Sequence, residues 1–248
     1  MEVLLNPVGI GSIVNIAPYL TDEEGKQSGT RLASHGPVMP LVGEEIGLAK
    51  EYLLGRPPRP NCPGVDFNTR DYTMFCFGIN VGLRYGDLFA LRIGDVMDGS
   101  GQIVESIRVK EEKTSKSSKP PREIFFRQEL KGVLHAYISS LGDYKSDWYL
   151  FHGLWPNATP YNKLSNQNVN LIMKNIQAGL GLKVELGSHT LRKTFARAIF
   201  DRETAKGNNL AIEMLRQLLQ HSTVRMTLLY IGLQREEIKN IYLGGEMI

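Results

Sequence analysis

The sequence predicts a mainly helical α+β fold with one small antiparallel β-sheet. Two patterns support this fold class. Along several segments, apolar residues recur at spacings of three and four, as they do on one face of an α-helix. Near the middle of the chain, apolar and polar residues instead alternate on both sides of a basic, Ser/Pro-rich segment, which is the pattern of a β-hairpin. With 42% hydrophobic residues, the 248-residue chain has enough apolar material for such a core.

The first 36 residues differ in composition from the remainder of the chain. They are rich in Gly, Ser and Pro and include an acidic patch at Asp22–Glu24. This composition is typical of segments that do not bury a core. We therefore expect a poorly ordered N-terminal extension over residues 1–36 and a folded domain over residues 37–248.

Two helices are predicted on either side of a proline-rich connector. Apolar spacing predicts one helix over residues 42–54 and another over residues 71–81, separated by the connector GRPPRPNCPG. Asn68 or Thr69 is the expected cap of the second helix, and Gly82 ends it. A short helix is expected near Asp87, before a turn-rich segment, GDVMDGSGQ.

The β-hairpin is predicted around the basic segment TSKSSKPP. Ile107 and Val109 alternate with polar residues before it, and Ile124 and Phe126 do so after it. Lys113 lies near the end of the first predicted strand. Beyond Gln128 the pattern is helical, and the predicted helices cover residues 129–141, 165–179, 189–202, 210–219 and 235–242.

Charge is unevenly distributed along the chain. The net charge is +3, with a pI near 8.8. Residues 1–55 hold seven acids and three bases, a net charge of −4, so the remaining residues hold 26 bases and 19 acids, a net charge of +7. A mildly basic body of this kind permits nucleic-acid binding without requiring it.

Cysteine usage and hydropathy exclude several classes of protein. The two cysteines, Cys62 and Cys76, form no CxxC pair, so neither a zinc ribbon nor a disulfide framework is predicted. Two idle thiols fit a reducing compartment. The N-terminus is a poor signal peptide, and the apolar stretch from Thr73 to Leu83 is too short to span a bilayer. We therefore expect a cytoplasmic protein with no membrane partner.

Four segments carry residues suited to phosphate chemistry. They are VGLRYGDLFALR with Arg84, EEKTSKSSK with Lys113, GSHTLRKTFA with His189 and Arg192, and LLQHSTVRMTLLY with His221 and Tyr230. On a helix, His189 and Arg192 would share one face, and the planar guanidinium matches two phosphate oxygens at once. Each residue taken singly also has a structural interpretation. These are an ion pair between Arg84 and Asp87, a solvated loop for Lys113, and an amphipathic helix for Tyr230. For the HxxR segment the structural interpretation is a surface arginine at 192 and a helix-capping histidine at 189.

Taken together, the order and spacing of these residues resemble the catalytic set of the tyrosine recombinase (phage integrase) family. GINVGLRYGDLFALRIGDV resembles the first-arginine box of that family, and LLQHSTVRMTLLYIG resembles its histidine–tyrosine box. The resemblance extends from about Pro37 to Tyr242. It implies a tyrosine-recombinase-type catalytic domain over residues 37–248, in a short, catalytic-domain-only member. Asp87 stands where the family commonly has Glu.

The resemblance also implies a mechanism. Tyr230 would attack a DNA phosphodiester, become joined to the 3′ phosphate and free a 5′ hydroxyl, with no cofactor and no metal. Arg84 and Arg192 would hold the non-bridging oxygens, and Lys113 would protonate the leaving 5′ oxygen. His189 would accept the tyrosine proton or hydrogen-bond the phosphate, and His221 would add a phosphate contact. These six residues are expected to form one site, with the ends of Arg84, His189, Arg192, His221 and Tyr230 converging on one basic pocket.

The implied partner is double-stranded DNA rather than a small-molecule substrate. Between Lys113 and Arg127 the chain has five bases and one acid, and we expect phosphate contacts from Lys116, Lys119 and Arg122. The resemblance further implies self-association on DNA as a dimer or tetramer. We expect the segment after Tyr230 to form a short helix that docks on a neighbouring subunit.

Two other functions remain open at this point. One is a type IB topoisomerase-like enzyme, which relaxes DNA by similar chemistry without exchanging strands. The other is a non-catalytic, integrase-derived DNA-binding protein. The short chain and the HxxR segment favour a recombinase over the first, and the complete catalytic set with Tyr230 argues against the second.

Overall fold

The computed structural model describes residues 38–58, 66–111, 120–155 and 157–233. The elements in these ranges are, in chain order, α1 (Glu45–Gly55), α2 (Phe67–Val81), α3 (Tyr85–Leu88), α4 (Ile93–Val96), β1 (Ser106–Val109), β2 (Arg122–Phe125), α5 (Gln128–Ser140), α6 (Asn166–Gly179), α7 (Thr190–Ala205), α8 (Ala211–Leu218) and α9 (Val224–Tyr230). The mainly helical fold with a small antiparallel sheet is thus confirmed. The predicted N-terminal extension and the predicted helix over residues 235–242 lie outside the described residues.

Helix α2 begins earlier than its apolar spacing predicts. Its cap is Asp66, whose carboxylate accepts a hydrogen bond from the Thr69 amide at 2.9 Å, so the prediction of Asn68 or Thr69 as cap was wrong. The extra turn brings Phe67 into the core, where it is buried. At the other end Gly82 stops the helix with φ +59°, a left-handed conformation that glycine adopts without a Cβ penalty.

The two strands form the predicted hairpin. They pair antiparallel, with Ile107 opposite Ile124 and Val109 opposite Arg122. Ile107 and Ile124 are buried, as the alternation predicts, and so is Phe126 just beyond β2. The sheet consists of these two strands in the part of the chain that the structure describes.

The segment predicted to be turn-rich contains a short helix as well. Residues 93–96 form α4, and the Asp95 carboxylate accepts a hydrogen bond from the Arg92 amide at 2.7 Å. A tight turn follows, in which one carboxylate oxygen of Asp98 accepts hydrogen bonds from the amides of Ser100 and Gln102. The prediction of turns was therefore correct for the second half of the segment only.

The chain divides into two compact units, of which the larger is Ser34–Phe195. Its core is rich in aromatic side chains, and α2 supplies several of its buried residues. Phe77 of α2 meets Phe126 and Phe151 with ring centroids 5.6 and 5.9 Å apart, and Phe151 stacks on Tyr137 of α5. Edge-to-face and stacked rings of this kind add to the area that they bury. The core thereby holds the end of α2, where Gly82 lies, in a defined place.

The other unit contains Ala196–Ile248, of which residues up to 233 are described. It has a separate apolar core formed by the later part of α7 together with α8 and α9, in which Phe200, Ile212, Leu215 and Leu228 are buried. Helix α9 is capped by Thr223, whose hydroxyl accepts a hydrogen bond from the Met226 amide at 3.2 Å.

Two further observations concern membrane spans and metal sites. None of the helices in the described ranges has the length and hydropathy of a membrane span. Among the same residues, His, Cys, Asp and Glu side chains do not gather in groups of three that could hold a metal ion.

Candidate active site

Three arginines from distant parts of the sequence meet in the larger unit. Arg84 directly precedes α3, Arg192 lies in the first turn of α7, and Arg122 begins β2. Only Gly82 and Leu83 separate Arg84 from the end of α2. The left-handed turn at Gly82 therefore sets the direction in which the chain runs from α2 to Arg84. The hairpin and the start of α7 bring the other two arginines to the same place.

The three guanidiniums share one carboxylate, that of Glu111. Oε2 of Glu111 accepts from Nη1 of Arg84 and, at 3.2 Å, from Nη1 of Arg192. Oε1 accepts from Nη1 of Arg122 at 3.2 Å and from Nη1 of Arg192 at 3.3 Å. Glu111 is only 1% exposed, so this carboxylate is removed from water and compensated by the arginines. We call these four side chains the arginine cluster.

Backbone carbonyls at the C-terminal end of α2 complete the cluster. Nη1 of Arg192 donates to the Gly82 carbonyl at 2.9 Å, and Arg122 donates to the Val81 carbonyl. The last carbonyls of a helix have no partner within the helix and carry partial negative charge, so cations are favourable there. The pKa of Arg122 is lowered to about 10, mainly because the side chain is buried; the Glu111 carboxylate opposes the shift, and the charges of Arg192 and Arg84 add to it. At neutral pH Arg122 therefore remains charged.

His189 lies beside this cluster, directly before α7. Its backbone carbonyl accepts the Lys193 amide at 3.0 Å, so the residue starts the helix while it keeps some exposure to solvent. Partial desolvation lowers the pKa of His189, and the positive charges of Lys193, Arg192 and Arg84 lower it further. The neutral imidazole, which can accept a proton, is therefore favoured at neutral pH.

The smaller unit brings His221 and Tyr230 together. Their ring centroids are 5.1 Å apart, with the rings nearly perpendicular at 76°. Nδ1 of His221 lies 3.1 Å from the hydroxyl oxygen of Thr227, which lies 3.4 Å from the Thr223 carbonyl. A proton on Nδ1 lets the Thr227 hydroxyl accept from the ring and donate to that carbonyl. Helix α9, which carries Thr227 and ends at Tyr230, thus sets the spacing between His221 and Tyr230.

Gln220, which precedes His221, has an unusual backbone conformation. Its φ is +57°, the left-handed region that residues with a Cβ rarely adopt. The His221 amide donates to the Arg216 carbonyl at 3.0 Å, and the Arg216 side chain donates back to the His221 carbonyl at 2.9 Å. These two hydrogen bonds hold the turn between α8 and His221 in place.

The residues predicted from the sequence fall into three groups. Arg84, Arg192 and His189 are close together in the larger unit. His221 and Tyr230 are neighbours in the smaller unit, and the convergence of the two groups stays a prediction. Lys113, Lys116 and Lys119 lie outside the described residues.

Arg122 and Glu111 differ from the sequence-based picture. The Arg122 side chain, which we expected in an exposed basic hairpin, is only 8% exposed and belongs to the arginine cluster. Its role as a DNA contact stays a prediction. Glu111, whose carboxylate contacts Arg84 in the structure, was not among the candidate residues. The strand alternation contains the signal, because Glu111 continues the inward series of Ile107 and Val109 and therefore needs a buried partner.

Sequence comparison identifies related proteins. Residues 61–237 match the model of the Phage integrase family. The chain is 31% identical over 199 residues to "Probable integrase/recombinase YoeC" of Bacillus subtilis (strain 168), covering 80% of this chain and 91% of that protein. It is 29% identical over 170 residues to "Tyrosine recombinase" of Pseudothermotoga lettingae, covering 68% of this chain and 52% of that protein.

Solved structures share the fold at low sequence identity. XerA recombinase superposes with a TM-score of 0.55 at 22% identity, over 88% of this chain and 66% of that one. XerH site-specific recombinase, in a post-cleavage complex with a palindromic difH substrate, gives a TM-score of 0.57 at 15% identity, over 82% of this chain and 52% of that one. The chain thus spans about half the length of XerH and of the Pseudothermotoga protein.

Proposed function

The chain belongs to the phage integrase family of tyrosine recombinases, and from that membership we propose that it breaks and rejoins DNA through a 3′-phosphotyrosine at Tyr230. One observation carries the proposal: Arg84 and Arg192, 108 positions apart, contact the same carboxylate oxygen of Glu111. Two guanidiniums that close together are suited to the non-bridging oxygens of one phosphate.

In the proposed reaction the bonds exchange without an external energy source. The Tyr230 oxygen forms a bond to phosphorus while the bond from phosphorus to the 5′ oxygen breaks. Arg84 and Arg192 stabilise the negative charge that builds on the non-bridging oxygens. The leaving 5′ oxygen takes a proton from Lys113, and a 5′ hydroxyl of another strand later reverses the step.

Tyr230 needs help to act as a nucleophile, because a tyrosine hydroxyl has a pKa of about 10 and is almost entirely protonated at neutral pH. His189 is suited to accept its proton, since nearby positive charges favour the neutral imidazole. His221 is proposed to contact the phosphate, and its contacts with Thr227 and Tyr230 orient its ring.

The proposed substrate is double-stranded DNA, bound mainly through its phosphates. Lys116 and Lys119 are expected to contact phosphates of the DNA backbone. We retain Arg122 in this set because it belongs to the arginine cluster that is proposed to bind the phosphate. Some tyrosine recombinases of similar fold have been solved with DNA, including XerH with its difH substrate.

Self-association on DNA is the other part of the proposal. Strand exchange requires two DNA sites, and we propose that subunits assemble as dimers or tetramers on them through the segment after Tyr230. Deleting residues 234–248 should leave single-site cleavage intact while strand exchange between two sites falls. Unchanged strand exchange would show that residues 234–248 have no role in the assembly of subunits.

The test of the main proposal is a covalent trapping experiment. A library of labelled, nicked duplexes with a randomised centre is incubated with the full chain, and covalent protein–DNA adducts are isolated on a denaturing gel and sequenced. The nick releases a short fragment after cleavage, so the adduct cannot be religated. We expect adducts from the wild-type chain and from Tyr161→Phe, an exposed tyrosine that serves as the matched control, and none from Tyr230→Phe.

The duplexes selected in this experiment also distinguish the alternative functions. A non-catalytic DNA-binding protein would bind the duplexes but give no adduct. An enzyme of the topoisomerase IB type would give an adduct and relax a supercoiled plasmid carrying one selected site, without joining strands of two sites. Recombinant products from two selected sites on separate molecules are the outcome expected for a recombinase.

A further inference from the structure

Glu111 is a buried acid in a cluster that, on the proposed function, binds an anion. Its carboxylate contacts Arg84, Arg122 and Arg192, each through a single terminal nitrogen, Nη1. A carboxylate that competed with phosphate for the arginines would be expected to form bidentate contacts, with two N–H groups of one guanidinium donating to its two oxygens. For Arg84, whose contact is through Nη1 alone, this arrangement leaves Nε and Nη2 as donors for a ligand.

Arg84 illustrates this arrangement most directly. Among the described residues it donates one hydrogen bond, from Nη1 to Glu111, and 23% of its side chain is exposed. Glu111 holds Nη1 from the buried side. Nε and Nη2 of Arg84 form the planar pair of donors that matches two phosphate oxygens.

The charge of the cluster also bears on the reaction. Three guanidiniums and one carboxylate carry a net charge of +2. A phosphodiester brings one negative charge, and the attack of a tyrosine oxygen adds a second as the transition state forms. Without Glu111, three buried or partly buried cations would repel one another, and their side chains would separate until the repulsion was relieved.

We propose that Glu111 is a positioning residue that holds Arg84 and Arg192 at the separation a reacting phosphate requires. This inference rests on the proposed function and adds a specific residue to it. Glu111 does not contact DNA in this scheme. It acts through the arginines, by sharing Oε2 between them and by anchoring both to the hairpin that begins with β1.

The test uses a nicked duplex selected with the wild-type chain and three variants. Glu111→Gln keeps the shape of the side chain and removes its charge, and Glu111→Asp keeps the charge on a shorter side chain. Glu123→Gln, on the paired strand, is the matched control because Glu123 is an exposed acid in a loose ion pair with Arg108. DNA affinity is measured in a Tyr230→Phe background, and single-turnover cleavage is followed for both rate constant and adduct amplitude.

We expect Glu111→Gln to slow cleavage by about 10²-fold, because a displacement of about 1 Å in a reacting group costs that much. Its DNA affinity should be unchanged or higher, since the cluster gains a positive charge. Glu111→Asp should recover part of the rate, and Glu123→Gln should match the wild type. This separation of rate from affinity, with the amplitude retained, is the supporting result.

Other outcomes overturn the inference. Faster cleavage by Glu111→Gln would mean that Glu111 competes with the phosphate. An unchanged rate constant with a reduced amplitude would mean that Glu111 only stabilises the fold, and identical behaviour of the Glu111 and Glu123 variants would mean that it has no role in the reaction. If the wild-type chain itself forms no adduct, the proposed function fails, which is a separate result from any of these.

Discussion

At the scale of single residues, the larger unit contains buried carboxylates that each contact more than one arginine. Glu111 is one, and Asp71 of α2 is another: it is fully buried, and it contacts Arg70 at 2.6 Å and Arg56 at 2.9 Å. Such pairs contribute little net stability compared with apolar residues of the same size, but removing one partner leaves a buried charge uncompensated. The charged residues at these positions are therefore sensitive to substitution.

Asp71→Asn should lower the free energy of unfolding by about 3–5 kcal/mol, because Arg70 would remain buried without its counter-charge. Chemical denaturation of the full chain measures this loss. Asp143→Asn, at an exposed aspartate of the same unit, should have little effect. Equal losses from the two substitutions would show that the charge of Asp71 does not matter.

His189 provides a prediction about pH. Because partial desolvation and the cations of Lys193, Arg192 and Arg84 lower its pKa, the folded chain takes up a proton there only below the ordinary histidine value of about 6.5. Between that value and the lowered one, the unfolded chain binds more protons, so this group's contribution to stability is complete above about pH 6.5 and is lost as the pH falls.

The direct measurement is an NMR titration of the His189 ring. Lys193→Met removes one of the charges that disfavour the imidazolium, so it should move the His189 titration to higher pH. Lys206→Met, at an exposed lysine paired with Glu203, is the control and should leave it in place. A His189 titration that does not respond to Lys193→Met would contradict the electrostatic cause.

At the scale of elements, the end of α2 is the point from which the arginine cluster is built. Gly82 has a positive φ, its carbonyl accepts from Arg192, and a Cβ there would overlap the ring of Phe195 on α7. The close approach of α2 and α7 at this point therefore depends on glycine.

Gly82→Ala should destabilise the chain by about 2–5 kcal/mol, the combined effect of left-handed strain and overpacking. Gly101→Ala separates the two, because Gly101 also has a positive φ but no atom near the position of a Cβ, so about 1–2 kcal/mol is expected. Combining Gly82→Ala with Phe195→Ala should cost less than the sum of the single changes in a double-mutant cycle. Additive losses would mean that the ring does not oppose the new methyl group.

Local patterns predicted most of these elements and only part of the site. The hairpin and the long helices follow from residue spacing, because each buries a regular apolar face. Helix α9 does not, because it is seven residues long and the residues it buries are Thr227 and Leu228. The grouping of the arginines on Glu111 depends on tertiary packing of segments far apart in sequence, which spacing does not report. The local sign of this grouping is that Glu111 and Arg122 occupy positions that face inward in the alternating pattern of the two strands.

At the scale of the whole molecule, net charge is the property that bears on the proposed partner. The residues after 55 carry a net charge of +7, while the first 55 carry −4. Each phosphate contact made by a lysine or arginine releases counterions, so the affinity of such a chain for DNA should fall steeply with salt.

Binding of duplex DNA should weaken as salt rises and should survive Tyr230→Phe, which removes only a hydroxyl. Replacing Lys116 and Lys119 with Gln should reduce the slope of log affinity against log salt by about 1 for each lysine. A double variant at Lys183 and Lys206, both exposed, changes the net charge equally and is the control. Affinity that is independent of salt, or equal slopes for the two double variants, would contradict this model of binding.

The arginine cluster has a consequence for which residues are retained as the sequences of descendant proteins diverge. Since Glu111, Arg84, Arg122 and Arg192 compensate one another in a buried site, replacing any one of them alone should lower the free energy of unfolding, even where the chain still folds. Selection for a folded protein would thus preserve these four residues in a descendant that has ceased to act on DNA. The partly buried Tyr230 carries no such constraint from buried charge. Among descendants of this chain, the loss of the tyrosine, rather than of the arginines, would be the first inherited mark of an inactive lineage.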